Sequence, residues 1–284
     1  MPGFKYVGAL AGAAAEGRSH FCGFRKVPSQ TTVAGNWFDL SMAAGNPKPN
    51  YYASSPLVAA VLDGFDGLFH GDAKTPYTKH LANWLLMTPT AALVGQYKLL
   101  DYLLYYPFID GDAAGETQAL VNGITLPRYV DGANVQVMAV TVAPTTGGGS
   151  FTLDYVDALG VSRTSNVISA NATAANIGTL ATSEQGQVSG GQCFLPLNGL
   201  GVRQITAVNV IAPLGGLLSL VLVKPIADSA IREINTAKEL NFFRDAPILP
   251  RVYDGAYLNM VCNPAGSVAA GLLAGNLNFA WSDS

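Results

Sequence analysis

Charge is the scarcest commodity in this sequence. Asp, Glu, Lys and Arg make up only 12% of its 284 residues, against roughly 25% in an ordinary globular protein. The 16 basic and 19 acidic side chains leave a formal charge of -3 and form no basic block. Nucleic-acid binding needs clustered Lys and Arg to neutralise phosphates, and the nearest approach is Arg18, Arg25 and Lys26 around His20. No nucleic-acid partner is expected. Long apolar runs are missing too. The best one, Ala207 to Val223, is interrupted by Asn209, Pro213 and Gly215-Gly216, so it reads as two strands and no membrane span is expected. Met1 to Gly17 superficially resembles an export signal, but its apolar stretch is broken by glycine and Glu16 stands at the cleavage position, which argues against one. Cysteine and histidine number three each. Cys22, Cys193 and Cys262 lie too far apart for a disulfide framework or a zinc site, and read as buried free thiols of a protein folded in a reducing cytosol.

What is present is punctuation and apolar pattern. Residues 1–55, with Gly45-Asn46-Pro47-Lys48-Pro49-Asn50 near their end, read as an extended N-terminal arm, because two prolines remove donors and restrict their predecessors. Residues 56–116 read as a small helical subdomain. Leu57, Val61, Leu62, Phe65 and Leu68 recur at spacings of three and four, as do Leu81, Trp84 and Leu85, and then Leu93, Tyr97, Leu100, Leu103 and Leu104. From 117 to 284 the period falls to two, with strands expected at 134–142, 151–155, 162–168, 202–211, 217–223, 257–262 and 277–281. Lys224-Pro225 is expected to end one of them. The fold class is therefore mainly β, an antiparallel β-sandwich of jelly-roll type. Leu126-Pro127-Arg128-Tyr129-Val130-Asp131-Gly132-Ala133 is echoed by Leu249-Pro250-Arg251-Val252-Tyr253-Asp254-Gly255-Ala256. Asp-Gly signals a turn, so the two segments are expected at similar corners or both docked on a neighbour, each arginine pairing with its nearby aspartate or capping a carbonyl.

Catalytic signatures are sparse. Asp101, Asp110, Asp112 and Glu116 form the densest acidic group, but without the ligand spacing of a calcium loop they read as a solvated turn. His70, Asp72, Lys74 and His80 lack a nucleophile, and Gly147-Gly148-Gly149 lacks the Lys-Ser or Lys-Thr of a phosphate loop. No enzyme activity, cofactor or metal is expected. The aromatic residues read instead as contact residues, because a tyrosine buries area while its hydroxyl finds a polar partner. Trp37, Phe38, Tyr51 and Tyr52 near the arm, Tyr102, Tyr105 and Tyr106 in the aromatic run, and the two echo arginines Arg128 and Arg251 are the expected interface residues.

Several segments resemble structural proteins of tailed bacteriophages and prophages. They are Asn36-Trp37-Phe38-Asp39-Leu40-Ser41 with Gly45-Asn46-Pro47, Leu100 to Asp110, Leu126-Pro127-Arg128-Tyr129, Phe194-Leu195-Pro196-Leu197, Gly201-Val202-Arg203 and Leu220 to Pro225. The resemblance implies a virion component, assembled in the host cytoplasm and oligomeric. It would be a minor capsid protein of the cement or decoration type, bridging other virion subunits such as the major capsid protein. A major capsid protein is the alternative and requires a long spine helix that the sequence does not display. A tail or fibre protein that binds a host-surface glycan is the other, and requires exposed aromatics in a groove.

Overall fold

The computed structural model describes residues 4, 7–28, 30–62, 64–170, 176–181, 192–246 and 249–282. In chain order the first part holds α1 (Val7–Ala15), β1 (Ser19–Val27), β2 (Phe38–Asp39), β3 (Ala44–Asn46), β4 (Ala60–Val61) and β5 (Thr78–Met87). There follow β6 (Gly95–Asp110), β7 (Thr117–Ala119), β8 (Gln136–Ala143), β9 (Ser150–Asp157), β10 (Ser162–Thr164) and β11 (Ile168–Ser169). The last part holds β12 (Val202–Ala212), β13 (Leu217–Ile231), β14 (Lys238–Asn241), α2 (Phe242–Asp245), β15 (Arg251–Val252), β16 (Tyr257–Pro264) and β17 (Leu273–Ser282).

These strands make three antiparallel sheets, so the protein is mainly β and sandwich-like, as the alternation predicts. The central sheet runs β2-β16-β6-β13-β8, with β4 on β6. A first flanking sheet runs β14-β5-β17-β1-β3, with β15 on β5, and a second runs β10-β9-β12-β7, with β11 on β9. Alternation along β6 explains the layering, because successive side chains point to opposite faces. Tyr97 and Leu99 enter one core with Trp84, Leu258 and Phe279. Leu103, on the same face, enters a second core with Val137, Leu153 and Ile205. Leu100 and Tyr102 point the other way, into a third core with Trp37, Tyr52, Val221 and Tyr257. The two flanking sheets thus stand side by side on one face of the central sheet, and Asp101 falls at the seam between them.

The echo seen in the sequence is the visible part of a larger repeat. β5, β6, β7, β8 and β9 match β12, β13, β14, β16 and β17 in order, and the spacing between equivalents is constant to within a residue or two. Pairing follows the same rule. Leu81 faces Phe279 and Trp84 faces Leu277 in the first flanking sheet, as Ile205 faces Tyr155 and Val208 faces Leu153 in the second. Both ladders slip at the same place, at Ala82 between Leu81 and Asn83 and at Thr206 between Ile205 and Ala207. Leu99 opposite Met260 matches Leu222 opposite Val137, and Asp101 faces its own counterpart, Lys224. A pseudo-two-fold axis therefore passes through the seam. Each flanking sheet takes a strand from both copies, so the copies are interlocked rather than adjacent.

Three expectations need correction. Residues 56–116 are not helical: Thr78–Met87 and Gly95–Asp110 are strands, and β4 and two short 3-10 turns (Gly64–Asp66, Ala91–Leu93) account for other parts of this stretch. Both faces of β6 are covered, so its apolar residues run almost without interruption, and such a run shows helical spacings by chance. Residues 1–55 are not a free arm, since β1 is bonded between β17 and β3 inside the first flanking sheet. Nor does Pro225 end its strand; β13 continues to Ile231 by bulging beside Pro225, which stands opposite Leu100. Residues 171–175 and 182–191, within the expected loop at 169–192, lie outside the described residues.

Candidate functional site

The seam is built from the two echo segments, which lead into β16 and β8 on either side of the central strand pair. Arg128 donates to Asp101 through Nε (2.9 Å) and Nη2 (2.7 Å), and its Nη2 also donates to the Tyr102 carbonyl at 3.0 Å. The Tyr257 amide supplies Asp101 with a further donor at 3.1 Å. Burial pushes the Asp101 carboxyl up to about 6, against the downward pull of Arg128. Across the axis the chemistry inverts. Lys224 replaces the aspartate and donates to the Ala133 carbonyl at 2.7 Å, so Arg251 has no carboxylate there and lies exposed, 4.1 Å from the centre of the Tyr253 ring. Tyr129 and Tyr253 close the seam edge-to-face at 4.9 Å. The expected arginine–aspartate pairing thus occurs for Arg128, but with distant Asp101 rather than Asp131, whose carboxylate accepts from the Ala133 amide.

A second polar centre ties residues 37–52 to the central sheet. Asp39 accepts from Ser41 N (2.9 Å), Ser41 Oγ (2.6 Å) and Tyr102 Oη (2.7 Å), and also from Tyr52 Oη. Burial raises the Asp39 carboxyl despite these donors, and it raises Tyr52 and Tyr102 as well. Nearby Lys26 is fully buried, donates to the carbonyls of Ala43 (3.0 Å) and Pro47 (2.8 Å), and is lowered by burial to about 8. Both oxygens of Asp39 are saturated, so this centre fastens the segment in place.

The third centre joins His70 and Lys79, and sequence reasoning missed it. The imidazole Nδ1 faces Lys79 Nζ at 3.0 Å and Nε2 faces the Ala256 carbonyl at 2.9 Å. Lys79 also reaches the Gly71 carbonyl (3.3 Å), the Asp72 carbonyl (3.1 Å) and Asp254 Oδ1 (3.3 Å). Beside it lies a cleft of about 280 Å³ lined by Phe65, Phe69, His70 and Gly255. Of the proton-transfer group drawn from sequence, His80 is elsewhere, 3.4 Å from the Leu249 carbonyl, and Asp72 joins through its backbone. Asp110 uses Oδ1 to accept from the Asp112 amide at 2.8 Å, a local turn. No group of three or more His, Cys, Asp or Glu able to hold a metal occurs among the described residues.

The expected interface residues are mostly spent inside this chain. Trp37, Phe38, Tyr52, Tyr102, Tyr105 and Tyr106 are buried in its own cores, and Arg128 is taken by Asp101. Only Tyr51 and Arg251 face solvent. A broad ring at alternating strand positions serves a core as well as an interface, and nothing in the sequence separates the two uses. The exterior carries different apolar groups. Among the described residues Phe65 is 85% exposed, Val130 71%, Phe21 70% and Leu159 69%, and Tyr51, Phe69, Val121, Val167 and Ile211 are each half exposed or more.

Comparison with known proteins returns no matching family model, no matching curated protein and no matching solved structure.

Proposed function

We propose that this chain is a non-enzymatic structural component of a tailed-phage virion, stabilising the capsid by bridging or decorating its subunits. The exterior carries the reading: a surface with only 12% charged residues in the whole chain leaves Phe21, Phe65, Val130 and Leu159 largely in water. Exposed apolar groups rimmed by few charges are what a subunit buries against neighbours. The polar centres fit the same role, since they fasten loops and join the two copies of the repeat. Many shallow contacts made at once give a shell protein avidity without any single tight site. The longest helix among the described residues is α1, nine residues long, which disfavours the alternative of a major capsid protein with a spine helix.

The test is imaging of intact particles made by a host that expresses the chain with a small tag, together with sedimentation of the purified chain. Tagged density at regular positions on the shell is the expected result. Density at the tail tip, absence from the particle, or closed shells assembled by the chain alone would each overturn the proposal.

A further inference from the structure

The centre at His70 admits one protonation state only. Nε2 faces a carbonyl and must carry hydrogen; Nδ1 faces an ammonium group and must be bare. This neutral ring pins the segment from Gly64 to Tyr77, which carries exposed Phe65 and Phe69 and closes the neighbouring cleft. Leu68 roots the start of the segment, its side chain fully buried in the core and its amide on the Leu258 carbonyl (2.9 Å), and several hydrogen bonds of the part that follows lie beside the ring. Asp254 Oδ2 accepts from the Lys74 amide (3.0 Å) and from Thr75 Oγ1 (3.1 Å), and Lys79 holds the carbonyls of Gly71 and Asp72. We propose that His70 is an acid-operated latch, whose protonation at Nδ1 expels the ring from between Lys79 and Ala256 and releases residues 69–77 from the body.

The surrounding charges set the direction. A proton on Nδ1 faces the Lys79 ammonium of β5 at contact distance, with Arg128 adding a second positive charge from the echo segment. On the other side stands Asp254, from the segment before β16, while Lys74 and Asp72 act on Lys79 from the latched segment itself. Burial and Lys79 hold the ring down to about 4 from its ordinary 6.5. A released ring takes its proton near 6.5, so the closed form is fully favoured above that pH and loses ground steadily as pH falls towards 4. Over that window release is promoted by roughly 300-fold, tenfold for each unit of difference.

The repeat supplies an internal control. Arg203 stands at the position equivalent to Lys79, and it donates to the carbonyls of Asp131 (3.1 Å) and Ala158 (2.7 Å) rather than to a histidine. Neither the guanidinium nor these carbonyls titrate in the window, so that corner stays closed while the first opens.

Amide hydrogen exchange of the full chain at pH 7.5, 5.5 and 4.5, corrected for intrinsic rates, tests the latch. Protection is expected to fall in acid over residues 69–77 and to hold over 198–203. Loss at both corners together would mean general acid unfolding and would overturn the proposal, as would no loss at 69–77. His70→Gln should make the exchange of 69–77 independent of pH; a surviving acid response would count against the latch. Nitrogen NMR of the imidazole rings in the unaltered chain needs no variant to fold. It should show His70 with hydrogen on Nε2 at pH 7.5 and titrating well below 6.5, and a ring with hydrogen on Nδ1 or an ordinary titration would overturn the assignment.

Discussion

Arg128 and Arg251 occupy matching places in the two copies of the repeat, yet their removal should have very different effects. Arg128→Ala deletes a two-pronged pair with Asp101 and a hydrogen bond to the Tyr102 carbonyl. It leaves a carboxylate 1% exposed, with the Tyr257 amide as its remaining donor. Removing one partner of a buried pair strands the other charge, at a cost of about 3–5 kcal/mol. Arg251→Ala removes an exposed guanidinium stacked on Tyr253, which is worth about 0.5–1 kcal/mol. Urea unfolding followed by the fluorescence of buried Trp84 reads both. The pH dependence carries a sign. Asp101 already titrates near 6 when paired, and losing Arg128 raises it further above its unfolded value. The folded variant therefore binds a proton that the unfolded chain does not, and the penalty should be largest at pH 8 and shrink as pH falls below the raised value. Replacing both partners, Arg128→Met with Asp101→Leu, should recover most of the loss. Equal costs for the two arginines, or a double variant as unstable as Arg128→Ala, would refute the reasoning.

Further outcomes follow from packing and burial. A Cβ on Gly275 would sit 1.9 Å from the Leu85 carbonyl oxygen, so Gly275→Ala should cost about 3 kcal/mol in thermal melts or prevent folding; Gly199, with nothing within 4 Å, should accept alanine with a change under about 0.5 kcal/mol by the same measure. Tyr52→Phe takes one donor from buried Asp39 and should lower stability by about 1–3 kcal/mol in urea, whereas Tyr51→Phe, at an exposed ring, should be close to neutral. Cys22, Cys193 and Cys262 are all buried free thiols, and burial lifts Cys22 to about 11. A water-soluble aromatic disulfide at pH 8 should therefore leave the native chain almost unmodified and titrate all three thiols in urea; rapid native reaction would contradict the burial.

Where one face of a strand is dry and the other less so, the sequence announces it. β9 alternates half-buried and buried positions along its whole length, and Phe151, Leu153 and Tyr155 are read from the sequence as one face. β6 hides because it is sandwiched: Leu99 and Leu103 serve the flanking cores while Leu100 and Tyr102 serve the third, which leaves no polar face to mark the period. The repeat is nearly invisible for a related reason. Equivalent positions share register but not residue type, as with Trp84 and Val208 or Asp101 and Lys224, so only the turn that demands Asp-Gly survives as a recognisable echo. The sequence draws His70 only with Asp72, Lys74 and His80 and does not single out Asp39, because their distant partners Ala256 and Tyr102 are brought to them by the fold.

The exchange of strands between the two copies also dictates the order in which the molecule can become stable. Trp84 is made early in synthesis, yet its ladder partner Leu277 emerges only after the second copy is almost complete. The first flanking sheet cannot close while the ribosome is still working through β13, and the hydrophobic side of β5 must wait uncovered. Such long-range pairing folds slowly and leaves sticky intermediates. A host cell making this chain in quantity would therefore meet it as a client of its chaperones well before it meets it as a finished building block.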